Sequence, residues 1–408
     1  MKFNKWTLGL AAIGVVSLAS AARADEKMSQ LQTALSNTTI SGYVDTAATW
    51  RPGTDSNAGS TLPNIPAYSF AKNDGFSLNA VDIAIDHPED ESPWAAGYHV
   101  EMMFGPDSVP LGNGTVAGAP IGGILGGTGL NSLRSAYLTL RTPIGNSGID
   151  WKVGVWDTII GYESSSDPVN PNYTRSYGYS IEPTTETGIL GTYKVNDEVS
   201  VQGGIANSWN ADTIDFTSNL QVGDNAGATY ESQKAFLGAV ALTAPSSWGW
   251  ASGATLTGGI VNGVDSSATA NGASGRTSYY VGATIPTPLS ALKGGASFDY
   301  LDVHYGGGEA WVGALYGSYQ INPNTSFNLR GEYGDADTAL YTLAGANPRN
   351  EFEEVTATLQ YNLWANVLSR LEFRWDHTEH GDFFGANSAG GAFRNNDFML
   401  AANLIYQF

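Results

Sequence analysis

The chain has 408 residues; charged residues make up 14%, aromatics 11% and glycine fifty positions, and there is no cysteine. Globular domains usually carry roughly 25% charged residues and ~7% glycine, so this composition departs from theirs on both counts. Thirty-nine acidic residues against nineteen basic give a net charge of −20, which argues against a nucleic-acid partner held by its phosphates. The lack of cysteine excludes disulfide scaffolds, thiolate metal sites and cysteine nucleophiles together.

Lys2 and Lys5 precede an apolar run from Trp6 to Ala22, and Ala22-Arg23-Ala24 closes it before Asp25. A basic start, a short apolar stretch and a small-x-small site predict a secretory signal peptide, residues 1–24, cleaved after Ala24. The mature chain would have 384 residues, with sixteen basic against thirty-nine acidic, a net −23. No later stretch approaches the ~20 apolar residues of a membrane-spanning helix. The mature chain is therefore expected either free outside the inner membrane or within an outer membrane as a barrel. Residues 25–37 place Met28, Leu31 and Leu35 at helical spacing. They read as a periplasmic N-terminal lead, with a plug in a barrel mouth as the sharper alternative.

Residues 38–408 alternate with period two. In the last run Phe398, Leu400, Ala402, Leu404, Tyr406 and Phe408 share one parity; Met399, Ala401, Asn403, Ile405 and Gln407 share the other. Before it, Leu371, Phe373 and Trp375 oppose Arg370, Glu372, Arg374 and Asp376. Likewise Val355, Ala357, Leu359, Tyr361 and Leu363 oppose Glu354, Thr356, Thr358, Gln360 and Asn362. Such runs predict strands with one apolar face. Sixteen are found, at Thr38–Thr49, Phe76–Asp86, Trp94–Phe104, Leu133–Arg141, Ile149–Thr158, Glu186–Val195, Glu198–Asn207 and Gln233–Thr243 in the first half. The second half gives Ala254–Val264, Thr277–Thr287, Gly294–His304, Glu309–Tyr319, Thr325–Tyr333, Phe352–Leu363, Asn366–Asp376 and Asn396–Phe408.

A soluble sandwich would also alternate, but its strands are usually ~5–6 residues with short connections at both ends. Here short turns follow the even runs, while long Gly/Asn/Ser-rich segments follow the odd ones, apart from the brief Tyr305–Gly308. That is the layout of an outer-membrane barrel. In hydrocarbon every backbone N–H and C=O must be paired, and only a closed sheet does this for strands. The predicted fold is all-β, a transmembrane antiparallel β-barrel of sixteen strands, with lipid outside, water inside and no packed core. Trp94, Trp248, Trp250 and Trp364 at the short turns, and Trp50, Tyr162 and Trp375 near the long loops, fit two aromatic girdles.

One run stands apart: Trp151-Lys152-Val153-Gly154-Val155-Trp156-Asp157, continuing through Thr158, Ile159, Ile160, Gly161 and Tyr162 to Glu163. With Asn172-Tyr173-Thr174-Arg175-Ser176-Tyr177, Glu182-Pro183, Phe104-Gly105-Pro106-Asp107 and the terminal Phe408, it resembles the β-barrel porins of the OmpL-like kind. The resemblance spans most of the mature chain, with its specific motifs between Phe104 and Pro183. It implies an outer-membrane channel and says little about the solute.

A pore needs an inward polar face and a constriction. Strand parity puts Arg141, Lys152, Arg330, Arg370 and Arg374 on the inner wall, with Asp45, Asp82, Glu101, Asp150, Glu332, Glu354 and Glu372. The third outer loop, Ile159–Thr185, carries Glu163, Asp167, Arg175 and Tyr177. Folded inward, it would set its acids against the wall arginines across an eyelet; the alternative leaves it outside, with the arginines paired to neighbouring carboxylates. The excess of inner acids points to a weak preference for cations, although loop charge beyond ~8–10 Å is screened in physiological salt.

The expected partners are outer-membrane lipid and small hydrophilic solutes or ions, without cofactor, metal or nucleic acid. Gly112–Gly129 reads as a mobile surface loop, with a latch onto a neighbouring copy in a homo-oligomer, or a flexible plug, as the sharper alternatives. His377-Thr378-Glu379-His380 is a weak metal pattern. Two other functions stay open: a structural or adhesive barrel with a closed lumen, and an outer-membrane hydrolase. His99 shares inward parity with Glu101, but no G-x-S-x-G nucleophile motif is present.

Overall fold

The computed structural model describes residues 37–52, 74–108, 133–210, 234–265, 274–304, 308–337, 349–380, 384 and 394–408. The signal peptide, the helical lead before Asn37 and the Gly112–Gly129 segment lie outside the described residues. The strands are β1 (Thr39–Trp50), β2 (Gly75–His87), β3 (Ala96–Phe104), β4 (Leu133–Thr142), β5 (Ile149–Asp157), β6 (Thr185–Lys194), β7 (Val199–Ala206) and β8 (Ala235–Thr243). They continue as β9 (Thr255–Asp265), β10 (Ser274–Pro286), β11 (Leu292–Val303), β12 (Gly308–Asn322), β13 (Thr325–Asp337), β14 (Arg349–Trp364), β15 (Val367–Thr378) and β16 (Asn396–Gln407).

Each strand pairs antiparallel with its sequence neighbours, and β1 pairs with β16, so the sheet is a closed sixteen-stranded barrel. Closure joins the two ends of the chain: Gly42 and Phe408 exchange both backbone hydrogen bonds at 3.0 Å. The sixteen expected strands are all present, most with ends within about two residues of their expected positions. Trp94 does not begin β3; it sits in the preceding turn at φ 65°. The hairpin of β13 and β14 runs further than its alternation suggested, to Asp337 and from Arg349.

Alternation along the strands decides what each face meets. On β16 Phe398, Leu400, Leu404 and Tyr406 are exposed on the outside, while Met399, Ala401, Asn403 and Ile405 are buried inside. Exposed apolar side chains on a barrel exterior are stable only against lipid, where they cost nothing and charges are expensive. Trp50 and Trp364 at strand ends, and Trp94, Trp248 and Trp250 in the short turns, are all more than half exposed, as amphipathic rings at a membrane interface would be. Tyr162 does not join them: it lies inside, its ring stacked on Tyr316 of β12 at 4.0 Å.

The interior is not an empty water-filled tube. Trp156, Leu190, Leu237, Val261, Tyr280, Val312 and Phe352 on the wall form one apolar cluster with Ile159, Ile160, Tyr177 and Ile181 of the third loop. Trp209, expected in a polar outer loop, turns into the same cluster and donates its indole N–H to Ser278 at 3.0 Å. Burying these groups removes apolar surface from water at roughly 25 cal/mol per Å², which gives the third loop a reason to enter the barrel.

Candidate functional site

The third loop, L3, comprises residues 158–184 between β5 and β6. Gly161 begins its inward turn at φ +111°, and a Cβ there would lie 2.3 Å from a Glu182 carboxylate oxygen. The loop holds its own shape: the Asn170 amide donates to the carbonyls of Ser164 and Ser166, both at 2.7 Å. Within L3 the short helix α1 (Tyr177–Ile181) is capped by Ser176, whose hydroxyl accepts from the Tyr179 N–H at 3.0 Å.

L3 is clasped by its backbone. Arg330 on β13 donates to the Thr174 carbonyl at 2.7 Å and to the Arg175 carbonyl at 3.1 Å. Arg370 on β15 donates to the Asp167 carbonyl at 3.0 Å and the Asn170 carbonyl at 2.5 Å, and Arg374 to the Arg175 carbonyl at 2.6 Å. The opposite polarity is used as well. Glu372 accepts the N–H groups of Tyr173 and Thr174 at 2.6 and 2.9 Å, and Glu332 accepts that of Tyr177 at 2.9 Å. Asn328 and Thr358 add contacts to Pro171 and Asn172. Charge-assisted bonds of this kind are about twice as strong as neutral ones, and here they fix four carbonyl and three N–H groups of the loop.

The geometry differs from an eyelet with L3 acids facing wall arginines across a gap. Glu163 touches Arg330 directly at 2.7 Å, and Asp167 pairs inside the loop with Arg175 at 2.7 Å. Glu354 completes the wall side, within 3.2 Å of Arg330 and 3.6 Å of Arg374, which also pairs with Asp376 at 2.8 Å. The Tyr177 ring packs on Phe352, centroids 4.4 Å apart, beneath the Arg374 guanidinium at 5.2 Å. Burial first, and then the Asp299 carboxylate, hold the Glu182 carboxyl of L3 well above the usual carboxylate range.

On the far wall, β1 to β5 carry the other expected residues. Glu101 pairs with Arg134 at 2.6 Å, and Arg134 reaches on to Asp157 at 2.5 Å and to Ser165 of L3 at 2.6 Å. Asp82 is buried beside them, and Asp45 accepts from Asn79 at 2.8 Å and Asn403 at 2.6 Å. Nearer the short-turn rim Arg141 pairs with Asp150 at 2.6 Å, while Lys152 lies over the Tyr137 ring at 4.6 Å. L3 and the end of β5 line a partly open pocket of about 40 Å³ formed by Asp157, Ile160, Glu163, Ser165, Tyr179 and Thr184, room for only a few waters.

Sequence parity missed Arg134. Counted from Arg141 it should face lipid, but the register of β3 and β4 shifts between Glu101 and Met102, and Arg134 is the extra residue of that bulge. A bulge turns a side chain to the other face; an arginine on an otherwise apolar parity is the available signal. Arg51, which pairs with Asp397 one residue beyond β1, and Asn79, which donates to the Tyr173 hydroxyl at 3.2 Å, were missed too. His377 Nδ1 donates to the Asn396 amide oxygen at 3.0 Å and its ring stacks on Trp375; among the described residues no group of three His, Asp or Glu side chains is placed to hold a metal.

The fold is shared with solved outer-membrane proteins. The channel DcaP of Acinetobacter baumannii is 14% identical, with 91% of this chain and 97% of that one covered at a TM-score of 0.55. An anion-selective porin from Comamonas acidovorans is 14% identical over 91% and 99%, TM-score 0.55. The trimer form of OmpT from Vibrio cholerae is 13% identical over 91% and 99%, TM-score 0.52. At such identities the likeness is one of fold. No curated protein matches the chain. The profile of the family described as "Putative beta-barrel porin-2, OmpL-like" matches residues 37–408, so the chain belongs to that family and is an outer-membrane porin.

Proposed function

We propose that this porin passes small hydrophilic solutes or ions by passive diffusion, and that L3, held inside the barrel, forms its narrowest section. The observation that carries the reading is the backbone clasp of L3 by Arg330, Arg370, Arg374, Glu332 and Glu372. A loop fixed at so many points sets a constant cross-section, which a size filter requires. Wall acids outnumber wall bases, which supports a weak overall preference for cations. A homo-oligomer is part of the same proposal, in keeping with the trimer form of the V. cholerae neighbour.

A hydrolase has one observation in its favour: Ser135 lies 2.9 Å from His99 Nε2, and His99 Nδ1 lies 2.6 Å from Asp86. Glu101 argues against it. Its carboxylate accepts from Ser135 at 3.2 Å and lies 3.4 Å from the same Nε2. The serine hydroxyl thus has a carboxylate acceptor of its own and Nε2 has a carboxylate beside it, so serine and histidine are not left to each other as a nucleophile–base pair requires.

The test is a planar-bilayer recording of the refolded mature chain, with a parallel ester-hydrolysis assay. Discrete conductance steps are expected, and Arg370→Ala/Arg374→Ala should make them larger or noisier as L3 loosens. Unchanged steps in that variant would sink the role given to L3. No steps at all would favour a closed structural barrel, and ester turnover lost in Ser135→Ala would favour the hydrolase.

A further inference from the structure

Almost every cationic side chain inside the barrel already has a carboxylate. Arg330 has Glu163 and Glu354, Arg374 has Asp376, Arg134 has Glu101 and Asp157, Arg141 has Asp150, Arg175 has Asp167 and Arg51 has Asp397. Arg370 is buried and donates through Nη2 to two L3 carbonyls, while its Nη1 has no hydrogen-bond partner among the described residues. Lys152 differs from all of these. It sits on the inward face of β5, opposite Thr139 and Leu190, and is only half-buried. Among the described residues its ammonium has neither an ion pair within 4.0 Å nor a hydrogen bond; its close contact is the face of the Tyr137 ring at 4.6 Å.

The ring beneath it is locked in place. Tyr137 stacks on His99 with centroids 4.9 Å apart and planes 25° from parallel, and His99 is pinned by Asp86 at 2.6 Å and Ser135 at 2.9 Å. Gly154 is the register partner of Tyr137 and takes φ +137°; a Cβ there would lie 2.8 Å from the Tyr137 Cα. Glycine at that position lets the two strands close on the ring. An ammonium on an aromatic face keeps part of its electrostatic stabilisation, but its three N–H donors have no hydrogen-bond acceptor among the described residues.

We propose that Lys152 on its Tyr137 platform is a binding site for the carboxylate of a small organic anion in transit, an inference that rests on the porin reading. Asp157 and Glu89 act on the ammonium from longer range, so the site holds an anion weakly enough to release it, as conduction requires. A local anion site is compatible with an overall preference for cations, because it gives carboxylates a foothold in a lumen that otherwise repels them.

Reversal potentials across a potassium benzoate gradient test this, using refolded full-length mature chain as wild type, Lys152→Gln and Lys152→Arg. The benzoate-to-potassium permeability ratio should fall about tenfold in Lys152→Gln, the size of one lost charge-assisted hydrogen bond at the low end of its range, and be largely restored in Lys152→Arg. Equal ratios in all three, with conductance steps intact, overturn the site and leave the porin standing. Wild-type barrels that insert but never conduct overturn the porin reading and this inference with it.

Discussion

Glu89 lies in the short turn between β2 and β3, where burial, followed by the nearby Asp150 carboxylate, pushes its carboxyl up to about 7. Arg141 and Thr139 act in the opposite direction. An acid with a raised value is neutral below it and charged above it, so raising the pH through 7 adds a negative charge at this rim of the pore. Reversal potentials in a potassium chloride gradient should therefore move toward cation selectivity between pH 6 and 8, and Glu89→Gln should flatten that change. A wild-type profile that is flat over this range would refute the assignment. Arg134 makes the opposite point about single residues: one extra position in β4 decides whether a guanidinium meets lipid or the Glu101 carboxylate.

Among the elements, β4 and β5 approach each other closely beside the inward-facing Lys152, Tyr137 and His99. A methyl on Gly154 would meet the Ala136 carbonyl oxygen at 2.3 Å, in a backbone conformation that L side chains rarely adopt. Gly154→Ala is expected to destabilise the barrel by about 2 kcal/mol or more, read as a lower urea midpoint of the vesicle-folded protein. An unchanged midpoint would mean that the strands separate at no cost. L3 is the second informative element. Its apolar residues and its Gly161 turn were visible as sequence, but the side chains that hold it lie on β13 and β15, more than 140 residues further along the chain.

For the whole molecule, the ring closed by β1 and β16 leaves no strand edge unpaired, which is the condition for a sheet to sit in hydrocarbon. The outer surface then faces lipid and the inner one faces L3 and water, so equal substitutions have unequal effects. Leu371, exposed near the middle of β15, should cost ~2–4 kcal/mol as Leu371→Arg. Gln202→Arg, on the inward side of β7 beside Thr192, should change stability far less. Urea titration of both variants folded into vesicles gives the comparison, and equal losses would contradict the assigned faces.

Low charge, abundant glycine and period-two alternation determined the barrel, its strand number and the inward parity of residues such as Arg330, Arg370, Arg374 and Glu372. This was possible because alternation is a local consequence of one face meeting lipid and the other not, and it is written into each strand separately. The girdle position given to Tyr162, the outward parity of Arg134 and the coreless lumen could not be corrected from the sequence. Each depends on groups far apart in the chain: the bulge between β3 and β4, Tyr316 across the barrel, and the apolar patch that L3 and Trp209 fill. Only closure of the sheet brings those groups together, and with them the choice of which arginines clasp L3 and which cation, Lys152, is left facing the lumen.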